Sequence, residues 1–346
     1  VLEHCFLIEQ GSVMFQETMK LQQAVAVTKS SLTHHLQTHL GLHIMQAPLL
    51  VDVESGLQDG LNGFEQAVSV HLKAMPKRKI EVVHSLAKWK RHKLYELQAQ
   101  PSDGILTNMT AIRPDELCLS PTHSSLVDQW DWERVIDASE RNILTLQEAV
   151  HFIWRSVLNT AMTLRQLHIP VMDLPEKALF IESEDLLKMY PELNAKERED
   201  RICREHGAVF LMGIGAKLSN GFAHDNRAPD YDDWSTHHDG YYGLNGDLLV
   251  WHPQLNQALE LSSMGIRVNA EALQTQLQQT KATRTPWHDL VLSGKMVDSM
   301  GGGIGQSRVC MYLLGQSHIQ NVQESVWPET ELVTKKTESL LTQQSS

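Results

Sequence analysis

Near its C-terminal end the chain reads Ser299-Met300-Gly301-Gly302-Gly303-Ile304-Gly305-Gln306-Ser307-Arg308. No other stretch restricts the fold so strongly. Three consecutive glycines and a fourth two residues later leave almost no side chain to pack. Such a run suits a strand that another backbone, or a ligand, approaches more closely than a Cβ allows. The apolar segment 309–314 then reads as a buried helix, so Arg308 falls where a glycine-lined strand enters a helix. Its charge is fixed at any working pH, and its planar fork suits phosphate or stacking on a purine. A glycine-rich turn capped by a surface arginine is the competing reading at this point.

Taken in order, residues 1–18 are weakly patterned. Residues 20–39 read as a helix with Leu21, Val25, Leu32 and Leu36 on one face. Gly41 breaks that helix, and the chain extends to Pro48. A polar, glycine-rich loop carries Asp59, where a turn aspartate is the ordinary reading. Residues 80–85 alternate like a strand and run into a helix that opens with Lys88, Lys90, Arg91 and Lys93. Cations there oppose the helix macrodipole, so either a site needs positive charge or the face is solvated. Residues 107–112 form a short strand ending in Arg113-Pro114, and the proline holds Arg113 extended. From Leu126 to Glu133 the alternation puts Gln129, Asp131 and Glu133 on one face, with Asp128, Trp130 and Trp132 on the other. The first face would make a poor core but a good polar wall.

Residues 146–167 show core-helix spacing, with Thr145 and Glu148 as a candidate capping box. The charged run 194–205 reads as a solvated helix face, and 208–215 as a buried strand. Residues 243–251 and 258–267 read as neighbouring antiparallel strands. Their acids Asp247 and Glu260 are candidates for one magnesium ion, because hard cations take carboxylate oxygens. Surface charges at strand ends are the alternative.

Quoted in order, HSLAKWKR, IRPDE, VDQWDWERV, RAPDYDDWST, LNGDLLVW, ELSSMGIRV and GGGIGQSR resemble ammonia-dependent asparagine synthetase (aspartate–ammonia ligase), a family built on the class II aminoacyl-tRNA synthetase fold. The likeness runs from about Met19 to Pro328. It implies an α/β fold of the α+β type: a central antiparallel sheet flanked by helices, forming one catalytic domain over 19–330. Residues 1–18 would be an extension outside the core, and 331–346 a polar tail. The family's QDNLSG-like string stands here as Gln58-Asp59-Gly60-Leu61-Asn62-Gly63, with the aspartate kept and its neighbours changed.

The resemblance implies that L-aspartate, ATP and ammonia give L-asparagine, AMP and diphosphate through a β-aspartyl adenylate. Asp59, Arg113 and Gln129 would be catalytic. Ser85, Lys90, Asp131, Asp232, Ser263 and Arg267 would bind aspartate. Arg113, Asp247, Leu261 and Arg308 would bind ATP, and Asp247 with Glu260 would hold Mg2+. A cytoplasmic homodimer is expected.

Composition agrees with such an enzyme and opposes others. A formal net charge of −12 argues against a general nucleic-acid binder. The four cysteines are scattered and form no CxxC pair, which disfavours a zinc site or a disulfide framework. No apolar run approaches the roughly 20 residues of a membrane span. Neither an anticodon-binding domain nor a basic tRNA face is read here. An aspartyl- or asparaginyl-tRNA synthetase-like paralogue, or a non-catalytic binder of aspartate or adenylate, stands as the alternative.

Overall fold

The computed structural model describes residues 2–61, 65–116 and 119–328, with side chains in the first helix described from Phe15 onward. The helix α1 (Leu2–Leu40) is followed by the short strands β1 (His43–Ile44), β2 (Leu50–Asp52), β3 (Ser69–Val70) and β4 (Ile80–Val82). Then come α2 (Ala87–Glu96), β5 (Gly104–Ile112), β6 (Leu126–Val135) and α3 (Ile143–Gln166). A second half runs β7 (Leu179–Glu182), α4 (Ser183–Met189), α5 (Ala195–His206), β8 (Ala208–Met212), β9 (His237–His238), β10 (Tyr241–Tyr242), β11 (Asn245–His252) and β12 (Gln257–Ile266). It closes with α6 (Ala270–Thr280), α7 (Pro286–Leu292), β13 (Ser299–Gly305) and α8 (Gln306–Leu313).

Eight strands form one sheet in the order β1-β5-β6-β13-β12-β11-β8-β7. The six inner strands are mutually antiparallel, and only the two edge strands pair in parallel. The glycine strand β13 lies in the middle, between β6 and β12. Alternation along β6 decides which face does what. Trp130 and Trp132 are fully buried in the main core, while Gln129 and Asp131 face a cavity on the other side.

The core face is closed by α3 and α1. Leu146, Val150, Ile153, Val157 and Leu164 on α3 pack with Leu32, Leu36 and Leu40 on α1 in a single cluster. Each buried leucine contributes about 1.5–3 kcal/mol relative to exposure, so this seam is what holds α1 to the sheet. The helix itself begins at Leu2, not near residue 20, and residues 15–18 of the continuous helix are exposed.

Three local readings need correction. Asn142, not Thr145, caps α3: its side chain accepts from Thr145 N at 3.1 Å. Asparagine takes the extended backbone of a cap, which leaves Thr145 inside the first turn. Helix α5 is not merely solvated, since it buries Ile202 and Cys203 against the sheet, with Asn194 and Glu197 forming its capping box. The basic start of α2 is not solvated either: Lys88, Lys90 and Arg91 are all buried. Residues from 329 on, which include the expected polar tail 331–346, and Cys118 lie outside the described residues, and Cys5 outside the described side chains; Cys203 and Cys310 are buried free thiols. Among the described residues no helix is long and apolar enough to cross a membrane.

Candidate active site

The floor of the cavity is the glycine strand, and the neighbours of each glycine explain the run. A Cβ on Gly301 would collide with the Glu133 carboxylate and lie 2.8 Å from Arg267 Nη2. On Gly303 it would meet the Gln129 amide, with Cδ at 2.8 Å, and on Gly302 the Ser263 carbonyl at 2.6 Å. The glycines therefore make room for side chains from β6 and β12 that lie over the strand. Gly305 is different: it opens α8, and its nearest neighbour would be 3.4 Å away.

One end of the cavity is a buried charge lattice. Lys90 Nζ bonds the Asp131 carboxylate, the Trp132 carbonyl at 2.9 Å and the Gly302 carbonyl at 3.2 Å. Arg267 lays its Nε and Nη2 on the Glu133 carboxylate (3.0 and 2.7 Å), and Nη1 on Asp232. Ser299 Oγ donates to Glu133 at 2.7 Å. Burial pushes the Asp131 carboxyl up, against the pull of Lys90, and draws the Lys90 ammonium down. Burial also raises Asp232, although Arg267 bonds it. At Glu133 burial would act the same way, but Arg267 and Ser299 outweigh it and hold the carboxyl below its ordinary range. Of the cations on α2, only Lys90 lines the cavity. Lys88 pairs with Asp230 at 2.7 Å, and Arg91 donates to the Val297 and Val268 carbonyls.

At the adjoining corner Asp59 is 2% exposed. Its Oδ1 accepts from Leu61 N at 2.9 Å, the turn bond expected of an aspartate, while Oδ2 accepts from Ser85 Oγ. The segment is pinned by Gln58. Its amide donates to the Val82 carbonyl at 2.9 Å, and its carbonyl accepts from Asp59 N and His84 N. Tyr231 completes the corner; burial, then the nearby Asp59 carboxylate, raises its phenol.

The opposite end is more open. Arg113 follows β5 at the cavity wall; among the described residues it makes no ion pair, and its buried Nε has no hydrogen-bond partner. Arg308, in the first turn of α8, donates to the Glu260 carbonyl at 3.1 Å and lies 3.6 Å from its carboxylate. Asp128 fixes that turn by accepting from Ser307 N (3.0 Å) and Oγ (2.8 Å), and it pairs with Lys29 of α1 at 2.9 Å. Asp247 sits behind the wall. Arg227 Nη2 bonds both of its oxygens, and Asp247 does not line the cavity.

For a divalent cation the donor chemistry fits in part. Among the described residues no three acidic, histidine or cysteine side chains gather as a complete metal site. Asp247 and Glu260 do lie within electrostatic reach of each other. Burial, then repulsion from Glu260, pushes the Asp247 carboxyl up to about 7 in spite of Arg227. Two such carboxylates with phosphate oxygens are a usual magnesium set.

The cavity measures about 820 Å³, within the usual range of small-molecule sites. Asp59, Ser85, Lys90, Arg113, Gln129, Asp131, Asp232, Glu260, Leu261, Ser263, Arg267 and Arg308 all line it, and of the sequence-predicted set only Asp247 does not. Glu133, Arg227, Tyr231 and Asp128 were not anticipated as site residues. Glu133 carried a signal, being on the same strand face as Gln129 and Asp131. Arg227 opens the quoted string RAPDYDDWST, but nothing in it marks the pairing with Asp247, which lies 20 residues away.

A family model described as aspartate–ammonia ligase matches residues 19–339. Among solved structures, asparaginyl-tRNA synthetase of Entamoeba histolytica in complex with asparaginyl-adenylate superposes with TM-score 0.64 at 14% identity, over 89% of this chain and 66% of that one. The asparaginyl-tRNA synthetase of Pyrococcus horikoshii complexed with asparaginyl-adenylate gives TM-score 0.64 at 14% identity, over 89% and 70%. Aspartyl-tRNA synthetase from Entamoeba histolytica gives 0.54 at 15% identity, over 88% and 57%. The chain thus spans between 57% and 70% of the length of these three synthetases, and at these identities the likeness carries the fold alone.

Proposed function

This chain belongs to the aspartate–ammonia ligase family, ligases that form a carbon–nitrogen bond, and we propose that it converts L-aspartate, ATP and ammonia into L-asparagine, AMP and diphosphate through a β-aspartyl adenylate. The observation that carries this reading is the arrangement of one cavity. A buried lattice of Lys90 and Arg267 lies at one end, Arg113 and the Glu260-held Arg308 lie at the other, and Asp59 and Gln129 lie on the walls.

In this reading aspartate enters with its α-carboxylate toward Lys90 and Arg267. Asp131, Asp232 and Ser263 offer acceptors to its α-ammonium, and the β-carboxylate faces the open end. A carboxylate is a poor acyl donor until adenylated, so the α-phosphorus must be presented to it. Arg113 neutralises the α-phosphate, and its unpartnered Nε supplies a donor that costs no existing bond. Arg308 clamps the far phosphates or stacks on adenine. Asp247 and Glu260 would hold Mg2+, which would supply positive charge against the phosphates. Gln129, seated over Gly303, orients the acyl group. Asp59 then holds ammonium and takes one proton from it; the ammonia so formed attacks the acyl carbon, the acyl–oxygen bond to AMP breaks, and the second proton leaves with AMP or to solvent. The second oxygen of Asp59 stays on Leu61 N, which keeps the carboxylate aimed.

Incubation with aspartate, ATP and ammonium, following AMP and asparagine, tests the reading. Stoichiometric ADP would refute the adenylate route. Charging of tRNA without ammonium-dependent asparagine would favour the synthetase-like alternative. A homodimer belongs to the same proposal, and a stable monomer by light scattering at micromolar concentration would count against it.

A further inference from the structure

Arg227 occupies a position that the nucleotide end of the cavity does not explain by itself. Its Nη2 bonds both oxygens of Asp247, with Oδ2 at 2.5 Å, and it also feels the charge of Glu260 across the strand pair. The rest of its fork is little used. Nε is buried without a hydrogen-bond partner, and Nη1 reaches only the Asn226 carbonyl at 3.3 Å and Asp225 at 3.8 Å. Arg227 lines the cavity while Asp247 does not, so the guanidinium stands between the carboxylate and whatever enters.

The segment carrying Arg227 is fixed on both sides. His224 Nε2 lies 3.0 Å from Glu199, Trp234 Nε1 donates to the Ala228 carbonyl at 3.2 Å, and Gln276 Nε2 donates to the Pro229 carbonyl at 2.9 Å. Its stem is seated against Gly215, where a Cβ would come within 3.0 Å of Arg227 Cβ. What can move is therefore the side chain, not the loop. A magnesium-sized cation binds carboxylate oxygen directly at about 2.0–2.1 Å. A guanidinium nitrogen already seated on both oxygens of Asp247 repels it and blocks the approach between them.

We infer that Arg227 is a stand-in cation at the metal position: it neutralises Asp247 while the site is empty, gives that carboxylate up to a divalent cation when nucleotide arrives, and turns its guanidinium to the phosphate chain. The inference rests on the proposed nucleotide reading of this site. It accounts for two facts that a plain structural tether leaves aside, the unused donors of Arg227 and the exclusion of Asp247 from the cavity. It also makes loading ordered, because free divalent ion meets a site whose inner carboxylate is already taken.

Manganese serves as the probe, its free ion followed by electron paramagnetic resonance. Without nucleotide, Arg227→Gln should bind Mn2+ about tenfold more tightly than wild type, and adding Asp247→Asn to it should abolish the gain. In EDTA, calorimetry should show ATP binding to Arg227→Gln weakened about tenfold. Unchanged Mn2+ affinity in Arg227→Gln overturns the inference, as does unchanged metal-free ATP affinity. If Asp247→Asn still lowers Mn2+ affinity in the presence of ATP, the metal reading survives that failure. If Asp247→Asn has no effect there, the metal reading falls and the inference falls with it. Should Arg227→Gln unfold, as circular dichroism would report, Arg227→Lys carries the test. A single ammonium in place of the fork should raise nucleotide-free Mn2+ affinity about threefold, and no rise would be decisive against the inference.

Discussion

Replacing Gly301 by alanine places a methyl group in space that Glu133 and Arg267 already fill. Its Cβ would overlap the Glu133 carboxylate and the Trp132 carbonyl, and lie 2.8 Å from Arg267 Nη2. Glu133 is 0% exposed and held by Arg267 and Ser299, so it has no vacant rotamer to retreat into. Overpacking alone costs about 1–3 kcal/mol. A Gly→Ala change at an ordinary backbone angle returns about 0.4–1 kcal/mol by restricting the unfolded chain. Separating a buried ion pair adds about 3–5 kcal/mol. The net expectation is a loss of about 3–7.5 kcal/mol, read as a lower urea midpoint, with aspartate binding by calorimetry lost beside it. Gly305→Ala is the internal control. With φ of −65° and nothing nearer than 3.4 Å, it should stay within about 1 kcal/mol of wild type. A Gly301→Ala protein as stable as the Gly305→Ala one, with aspartate affinity intact, would refute the account of the glycine run.

Asp59→Asn can keep the bond to Leu61 N but loses the charge and the base, so aspartate-dependent diphosphate exchange into ATP should persist while asparagine formation falls about 10²–10⁴-fold. Both activities retained would return Asp59 to a turn role, and both lost would move it to aspartate binding. Arg308→Ala should weaken ATP binding by about 1.5–3 kcal/mol with circular dichroism unchanged; unaltered ATP affinity would show that the glycine motif has been misassigned. Glu182 is held up to about 7 by burial and by Asp185 and Asp239. Its folded carboxyl binds a proton that the unfolded one releases near 4.5, so its contribution is present below 4.5 and is lost as pH rises through about 7. Glu182→Gln should flatten the urea midpoint across that window, and an unchanged slope would mean that Glu182 titrates normally.

Local alternation made much of this site legible. The Trp130/Trp132 and Gln129/Asp131/Glu133 split follows from strand geometry, so one face of β6 had to be core and the other polar. The strand-to-helix steps before α2 and α8 were marked by hydrophobic period and by glycine. The ordered strings from HSLAKWKR to GGGIGQSR resembled a known family, and residues 19–339 match it. What stayed hidden depends on distant pairing. Nothing near Asp247 announces Arg227, and nothing near Lys88 announces that Asp230 will neutralise it. The cap of α3 was missed because Asn142 and Thr145 both suit a helix start, and only the backbone conformation separates them. The parallel edge strand β1 is two residues long, too short for any periodic pattern.

Lys90 spends its three protons on Asp131, Trp132 and Gly302, and Arg267 is likewise committed to Glu133 and Asp232. On the proposed reading the pocket for aspartate offers no idle positive charge, and binding is an exchange of partners. A carboxylate that takes Lys90 sets Asp131 free, and a freed buried carboxylate must find a cation at once. Aspartate brings that cation on the same molecule, as its α-ammonium. Succinate, sulfate and phosphate bring none, so each would leave an acid stranded. On that reading the pocket would discriminate by zwitterionic character as well as by shape, admitting amino acids and turning away simple anions.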